Sequence, residues 1–378
     1  MLNERSDMKY LKQKVTKKRM LEILRPGKSG LMMTLLLLLM LSFGFSQSYW
    51  VKYGWQAFNS AGDARILAMG GAAVTDFGTS VSPLFNPAAS GKVGIHNLNY
   101  THQSRLAGMI NSDLLGFPIQ NFSRPLNLII IHEGIDQIPD TRNILLDFGL
   151  DGVPGTGDIG EGNGTLDEGE RLDEDKLKYF SQRQLGLHLS TSWTKNTFEV
   201  GMAIKTLFHS IGEHTGSGIG LDFGVLAFPW KNGRLGLTIR DITTSWQVWE
   251  NGTIERFKPT AIAGLSHKYR FENMPLTVSG MVNVYLDGNG KSLDDDIHLG
   301  DQGANYLLGF NGVYDNKIAL RLGRNAIGST TGGIGLSWEN LSLDYAFLNE
   351  PFGSGLGASH MVSLAVNSDW IRQYVEKL

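Results

Sequence analysis

Arg234-Leu235-Gly236-Leu237-Thr238-Ile239-Arg240 alternates an apolar side chain with a glycine, a hydroxyl or a charge, without a break. Successive strand residues project to opposite faces, so this run predicts a strand with one apolar face and one small or polar face. The same two-residue period returns in Gln184-Leu-Gly-Leu-His-Leu-Ser190, Gly218-Ile-Gly-Leu-Asp-Phe-Gly224, Leu276-Thr-Val-Ser-Gly-Met-Val282, Ile318-Ala-Leu-Arg-Leu-Gly323, Leu341-Ser-Leu-Asp-Tyr-Ala-Phe347 and Val362-Ser-Leu-Ala-Val366. Glycine supplies 47 of the 378 residues, against roughly 7% in average proteins. Its place on the polar face suits the crowded interior of a closed barrel better than a solvated sheet face. Runs of this kind fall near 95–102, 106–117, 125–133, 180–193, 196–209, 216–229, 233–242, 258–271, 274–287, 302–314, 316–325, 330–339, 341–349 and 357–367. They predict an all-β chain: a transmembrane outer-membrane β-barrel of about 14 antiparallel strands, an even number of the kind such barrels use.

The connections sort themselves by length. Short ones, Lys195-Asn196, Lys231-Asn232, Phe271–Met274, Asp315-Asn316 and Glu339-Asn340, alternate with 134–179, 210–215, 243–257, 288–301, 326–329 and 350–356, mostly longer and rich in Gly, Asp, Asn and Ser. Membrane barrels put short turns at one rim and longer loops at the other, which a soluble sandwich has no reason to do. Aromatics gather beside the short turns at Trp193, Phe198, Phe228, Trp230, Tyr269, Phe271, Phe310, Tyr314 and Trp338, as an interfacial girdle would. The one long apolar run, Leu31 to Leu41, follows a lysine- and arginine-rich stretch and precedes Gly44 and Ser46. Residues 1–46 are therefore expected to be a secretory signal peptide, too short in its apolar core to be a membrane anchor. A net charge of -3 and a pI near 6.3 leave no basic footprint for nucleic acid. The absence of cysteine excludes disulfides, thiolate metal sites and a lipidated cysteine.

The segment ahead of the strands differs in kind. It carries Asp63-Ala64-Arg65 through Met69-Gly70-Gly71-Ala72, then Asn86-Pro87-Ala88. This pair of motifs resembles the N-terminal signature of the FadL-like superfamily of outer-membrane barrels. The ending, Asp344-Tyr-Ala-Phe347 to Leu356-Gly-Ala-Ser-His360 and Val362-Ser-Leu364, is similar to that of the PorV/PorQ branch. The resemblance implies a fourteen-stranded barrel whose N-terminal segment folds inside as a hatch over residues 55–92, with Asp63, Arg65, Met69, Gly70, Gly71, Asn86 and Pro87 as plug residues. The expected layout is 1–46 signal, 47–92 plug segment, 93–368 barrel with a long acidic extracellular loop at 134–179, and 369–378 a periplasmic tail that forms a helical turn. FadL members pass hydrophobic molecules, and PorV-type members receive exported cargo for the type IX secretion system. The expected role is thus a protein-secretion component docking cargo at the cell surface. The alternative is a FadL-like transporter of hydrophobic small molecules such as long-chain fatty acids. The expected partners are outer-membrane lipids, secretion proteins or cargo, and a hydrophobic ligand. The long third loop departs from the family pattern.

Loop 134–179 holds acidic residues and glycines at ligand-like intervals. An EF-hand-type loop places oxygen ligands at positions 1, 3, 5, 7, 9 and 12 with glycine at 6. Counted from Asp147, positions 1, 5, 6 and 12 match as Asp147, Asp151, Gly152 and Asp158, and Val153 offers a carbonyl, but position 3 is Gly149. With Glu161, Asn163, Asp167 and Glu170 these residues form a candidate calcium loop; the competing reading is a solvated acidic loop. Catalytic signals are poor and no enzyme is expected: His188 sits on a strand, and His360 follows Ser359 directly, which sends the two side chains to opposite faces. Arg234, Arg240, Arg321, Asp222 and Asp344 are expected inside the barrel, paired with one another and with the plug. Transport would need an apolar pocket under the plug, to which Ile66, Leu67, Met69, Leu84 and Phe85 can contribute.

Overall fold

The computed structural model describes residues 48–376 apart from 52–53, 95–96, 120–121, 196, 293–294, 350–354 and 356. The expected signal peptide lies outside the described residues, as does Asn196. Fourteen strands form the ring: β1 (Asn97–Arg105), β2 (Ile110–Ile119), β3 (Leu126–Asp140), β4 (Lys178–Lys195), β5 (Phe198–Ile211), β6 (His214–Trp230), β7 (Gly233–Arg240), β8 (Thr260–Arg270), β9 (Leu276–Asp287), β10 (Gln302–Tyr314), β11 (Ile318–Arg324), β12 (Thr330–Ser337), β13 (Leu341–Leu348) and β14 (Ser359–Asn367). Each pairs antiparallel with the next, and β14 returns to β1 with Asn97 opposite Asn367, so the sheet closes on itself. Closure removes every main edge of the ring.

The alternation reads with its apolar side outward. On β5, Met202, Ile204 and Phe208 are exposed while Ala203, Lys205 and Leu207 are buried. On β1, Asn99, Thr101 and Gln103 are buried within. A soluble barrel sorts its residues the other way, so this is the pattern of a barrel solvated by lipid. Trp230, Tyr269, Tyr314 and Trp338 stand exposed beside the short turns. Asp315 and Asn316 both have positive φ, at 50° and 54°, which is the two-residue turn geometry that Asn and Asp favour between antiparallel strands. No helix among the described residues is long and apolar enough to cross a membrane.

Three connections at the long-loop rim depart from expectation. The connection 210–215 is only a two-residue turn, because β5 runs on to Ile211 and β6 starts at His214. The expected loop 243–257 is mostly a hairpin, Ser245–Trp249 with Ile254–Phe257, whose first strand takes over the upper part of β6 where β7 has stopped. Strand β3 extends to Asp140 and β4 begins at Lys178, so the acidic loop spans 141–177 and carries a short pairing of Leu145–Leu146 with Arg171–Leu172. The tail forms a full helix, α3, over Ser368–Val375 rather than a single turn; for that label, α1 is Gln56–Ser60 and α2 is Ala64–Ala68. A further strand the periodicity did not predict, Ser48–Trp50, lies parallel to Ile254–Arg256.

Residues 55–92 pack against inward-facing groups from around the ring. Asp63 caps α2 by accepting from the Ile66 N–H at 2.7 Å. Ala64, Ile66, Ala68 and Met69 are fully buried. A second short turn of helix, Pro87–Lys92, starts at Asn86, whose Oδ1 accepts from the Ala88 N–H. Helices this short are not stable alone, so their order comes from the wall they touch.

Candidate binding site inside the barrel

The inner segment is fastened by polar groups buried between it and the wall, so each pairing matters. Gln103 Nε2 of β1 donates to the Gly62 carbonyl at 2.9 Å, and the Ala64 N–H donates to Ser363 Oγ of β14 at 2.6 Å. Thr331 of β12 donates to Ala68 O at 2.9 Å, and Thr238 of β7 to Phe85 O at 3.0 Å. Asn127 of β3 donates to Ser80 O at 2.7 Å, and Ser80 Oγ donates to Gly116 O of β2 at 2.8 Å.

The residues named from the sequence fall into two groups. Asp63, Arg65 and Asp76 form one polar knot: Arg65 reaches both carboxylate oxygens of Asp76, at 3.0 and 2.5 Å, while Asp63 accepts from Thr79 Oγ1 at 3.1 Å. Met69 and Gly70 lie against β10 and β11. Gly70 has φ +68°, and a Cβ there would overlap the carbonyl of Arg324, so only glycine fits both the backbone and the space. Gly71 follows with φ +71°. Asn86 and Pro87 seat against β5 and β6: Asn86 Nδ2 donates to Val74 O at 2.8 Å and Val225 O at 3.1 Å. A Cβ on Gly201 would overlap Pro87 and the Ala88 nitrogen, and one on Gly224 would overlap Asn86.

The expected interior charges are inside. Arg321 pairs with Asp344 at 2.6 Å. Arg234 lies 4.0 Å from the Phe77 ring centroid, and Arg240 reaches Leu84 O at 3.3 Å. Asp222 pairs with Lys205 at 3.0 Å, and Lys205 also reaches Asp241 at 2.8 Å. Sequence reasoning passed over Lys205, although alternation along β5 places it inward. Its Nζ stands 5.4 Å from the Trp55 ring and 5.7 Å from Phe58, which holds α1 to the wall. His188 is fully buried and sits 3.8 Å from Asp222. Ser359 is buried and His360 exposed, so the adjacent pair does point to opposite faces.

A cavity of about 380 Å³ lies on the long-loop side of the inner segment. From the segment it is lined by Leu67, Gly70, Gly71, Val74 and Phe85, and from the wall by Ile110, Ile262, Leu307, Leu348 and Met361 among others. Polar groups interrupt this lining: Gln56, Asn59 and Ser60 from the segment, and Arg105, Arg240, Asn283, Tyr285, Asn325 and Ser359 from the wall. The pocket was expected under the segment; it lies on the other side, because its wall residues sit toward the strand ends that carry the longer connections. Of the five residues expected to form it, Leu67 and Phe85 do; Ile66, Met69 and Leu84 are buried elsewhere.

In the acidic loop the named carboxylates accept backbone N–H groups. Asp147 takes Gly162 and Gly164, both at 2.7 Å; Asp158 takes Asp151; Glu170 takes Gly149 and Asp167. Glu161 accepts from Gly157 and Gly155, Asp167 from Asn163 Nδ2, and Val153 N–H donates to Asp151. Among the described residues no three His, Asp or Glu side chains converge as a metal site would require. The Gly164 N–H, with help from Gly162, holds the Asp147 carboxyl below the usual aspartate range. A lowered folded value means this contribution to loop order is present above the unfolded pKa of about 3.9 and is lost as pH falls through the folded value. Cleavage of loop 141–177 by an acid-active protease is therefore expected to stay slow down to about pH 4 and to rise below it. Asp147→Asn should make cleavage fast already at neutral pH, and an unchanged neutral rate would rule out this anchoring.

No family model matches the sequence, and no curated protein matches it. Among solved structures, the chain is similar to the P. putida toluene transporter TodX, with 11% identity, coverage of 81% of this chain and 98% of that one, and a TM-score of 0.47. A Pseudomonas aeruginosa FadL homologue matches with 11% identity over the same shares and a TM-score of 0.41. The Acinetobacter baumannii outer membrane protein Omp33 matches with 5% identity over 72% of this chain and 96% of that one, at a TM-score of 0.37.

Proposed function

We propose that this chain sits in the bacterial outer membrane as a conduit for small apolar or amphiphilic molecules, with residues 55–92 as its hatch. The observation that carries this reading is the cavity of about 380 Å³ between the inner segment and the long-loop rim, where an apolar surface from Leu67, Val74, Phe85, Ile262, Leu307 and Met361 is interleaved with polar groups such as Arg240, Asn283 and Tyr285. A mostly apolar concavity with a few placed polar groups is what a small-molecule site looks like. A cargo-docking platform of the PorV/PorQ kind needs an outer surface and has no use for a concavity inside the ring, so the cavity supports the transport alternative over the secretion role. Membrane lipids are its surroundings, and the acidic loop would stand on the outer side, with or without calcium.

The deciding experiment is native mass spectrometry of the barrel extracted gently from its own membrane. A retained small apolar ligand is the expected result; a stoichiometric exported protein without such a ligand would return the secretion reading. Filling the cavity gives a second test. Leu307→Trp is expected to weaken binding of a small fluorescent apolar probe at least tenfold, at an overpacking cost of about 1–3 kcal/mol. Equal affinity in the variant would place the binding site elsewhere.

A further inference from the structure

The outer wall carries a polar group where lipid-facing strands should be apolar. On β1, Tyr100, His102 and Ser104 share the outward face, and the register sets His102 opposite Asp113 and Ser104 opposite Asn111 on β2. His102 Nδ1 lies 2.9 Å from Asp113 Oδ1, and Tyr100 OH donates to the same oxygen at 2.7 Å. The His102 and Asp113 side chains are 48% and 42% exposed on this face. Ionisable groups facing lipid are costly and usually mark a function. A girdle of interfacial aromatics accounts for Tyr100; it does not account for a carboxylate held by a histidine.

We propose that Ser104, His102 and Asp113 form an acyl-ester hydrolase site on the lipid-facing wall, independent of the inner cavity. In the tautomer that donates from Nδ1 to Asp113, His102 keeps the Nε2 lone pair free as a base. Ser104 is the next outward residue of the same strand, roughly 6.5 Å along the chain, a gap that an imidazole leaning along the strand spans. The Ser104 hydroxyl makes no hydrogen bond to a described residue and stands near Gly108. Attack requires the hydroxyl to turn from Gly108 to His102 when substrate binds, and catalytic bonds of this kind commonly tighten only on substrate. Asn111, across from Ser104, donates its amide to Gly108 O at 3.2 Å and is the candidate donor to an oxyanion. Ser104 is one residue from the upper end of β1, at the long-loop rim, where water meets the ester level of an outer-leaflet lipid. A groove of about 690 Å³ begins at His132, the β3 neighbour of Asp113, and includes the exposed Leu185 and Phe208. Leu185, Phe208, Val248 and Trp249 give it an apolar strip for an acyl chain, bordered by polar residues such as Arg183 and Glu250.

The reaction balances with water as the only co-reactant. Ser104 Oγ bonds to the ester carbonyl carbon and gives its proton to His102 Nε2. The carbon–oxygen bond to the alcohol portion breaks, and that oxygen takes the proton from His102. Water then adds to the acyl-serine with His102 again as base, releasing the carboxylic acid and restoring Ser104.

The test uses the full chain, purified in detergent, with a fluorophosphonate probe and with phospholipid in mixed micelles. The expected results are probe attached at Ser104 by peptide mass spectrometry and release of fatty acid. Ser104→Ala should abolish both, and His102→Gln should lower hydrolysis by at least about a hundredfold. Heat-modifiable gel mobility and binding of apolar probe in the inner cavity should be unchanged in both variants, which separates this site from the transport reading. Ser104 left unlabelled, or hydrolysis that survives Ser104→Ala, overturns the proposal.

Discussion

Asp76→Asn is expected to destabilise the inner segment by about 3–5 kcal/mol, the usual penalty for leaving one member of a buried ion pair alone. Arg65 points both terminal nitrogens at the two Asp76 oxygens, and Ser82 Oγ donates to the same carboxylate at 2.9 Å. The Asp76 side chain is 5% exposed and Arg65 18%, so solvent screens the pair little. Asp63 cannot take over: it lies 3.9 Å from Arg65 and already serves the Ile66 N–H and Thr79. An asparagine keeps the shape but offers one acceptor oxygen and no charge to the fork. Because the ring's own ladders do not depend on this pair, the loss should appear as protease cleavage within 55–92 while the barrel keeps its heat-resistant gel mobility. Arg65→Lys should fall between, since an ammonium cannot make the two parallel bonds. Wild-type protease resistance in Asp76→Asn would mean that wall contacts alone hold the segment.

The ring was legible in the sequence because its solvent is lipid on one side and a crowded interior on the other. Those two environments impose a two-residue period that Arg234 to Arg240 or Leu341 to Phe347 displays without tertiary information. Legibility fails where β3 continues to Asp140, β5 to Ile211 and the hairpin at 245–257 rises past β7. Strands that leave the membrane lose the apolar face, and their Gly-, Asp- and Ser-rich sequence reads as loop. The site was legible in part. The inner segment's motifs marked Asp63, Arg65, Gly70 and Asn86, yet their partners are single residues on distant strands. Gly201, Gly224 and Gly323 look like any other small inward residue until a backbone is seen against them. Same-face residues of a strand are two apart, so His102 and Ser104 share the outer wall while the sequence neighbours Ser359 and His360 do not. Acidic spacing in the long loop is equally ambiguous, since a carboxylate that could meet a cation also suits a glycine N–H, as Asp147 does with Gly162 and Gly164.

Gly201→Val should free the lower half of the inner segment and open the barrel. At this position a Cβ would overlap the Pro87 carbonyl carbon and the Ala88 nitrogen. Backbone cannot turn aside as the tip of a long side chain can, so the segment has to move. Moving it breaks the Asn86 bond to Val225 O and the Ser90 to Ser190 bond of 2.9 Å. An overpacking cost of about 1–3 kcal/mol is joined by those of the buried groups left unpaired, about 1–3 kcal/mol each. Together these exceed what so short a helical turn can restore. The expected readout is single-channel conductance in planar bilayers, closed in wild type and showing long open steps in the variant. Gly280→Val on β9 is the matched control, because nothing lies within 4 Å of a Cβ there; it should stay closed. Open steps in both variants would trace the leak to valine in a strand rather than to the inner segment. Open steps in neither would mean that the segment yields at Pro87 and still fills the ring, and that any opening for transport starts at the cavity side, around Leu67 and Phe85.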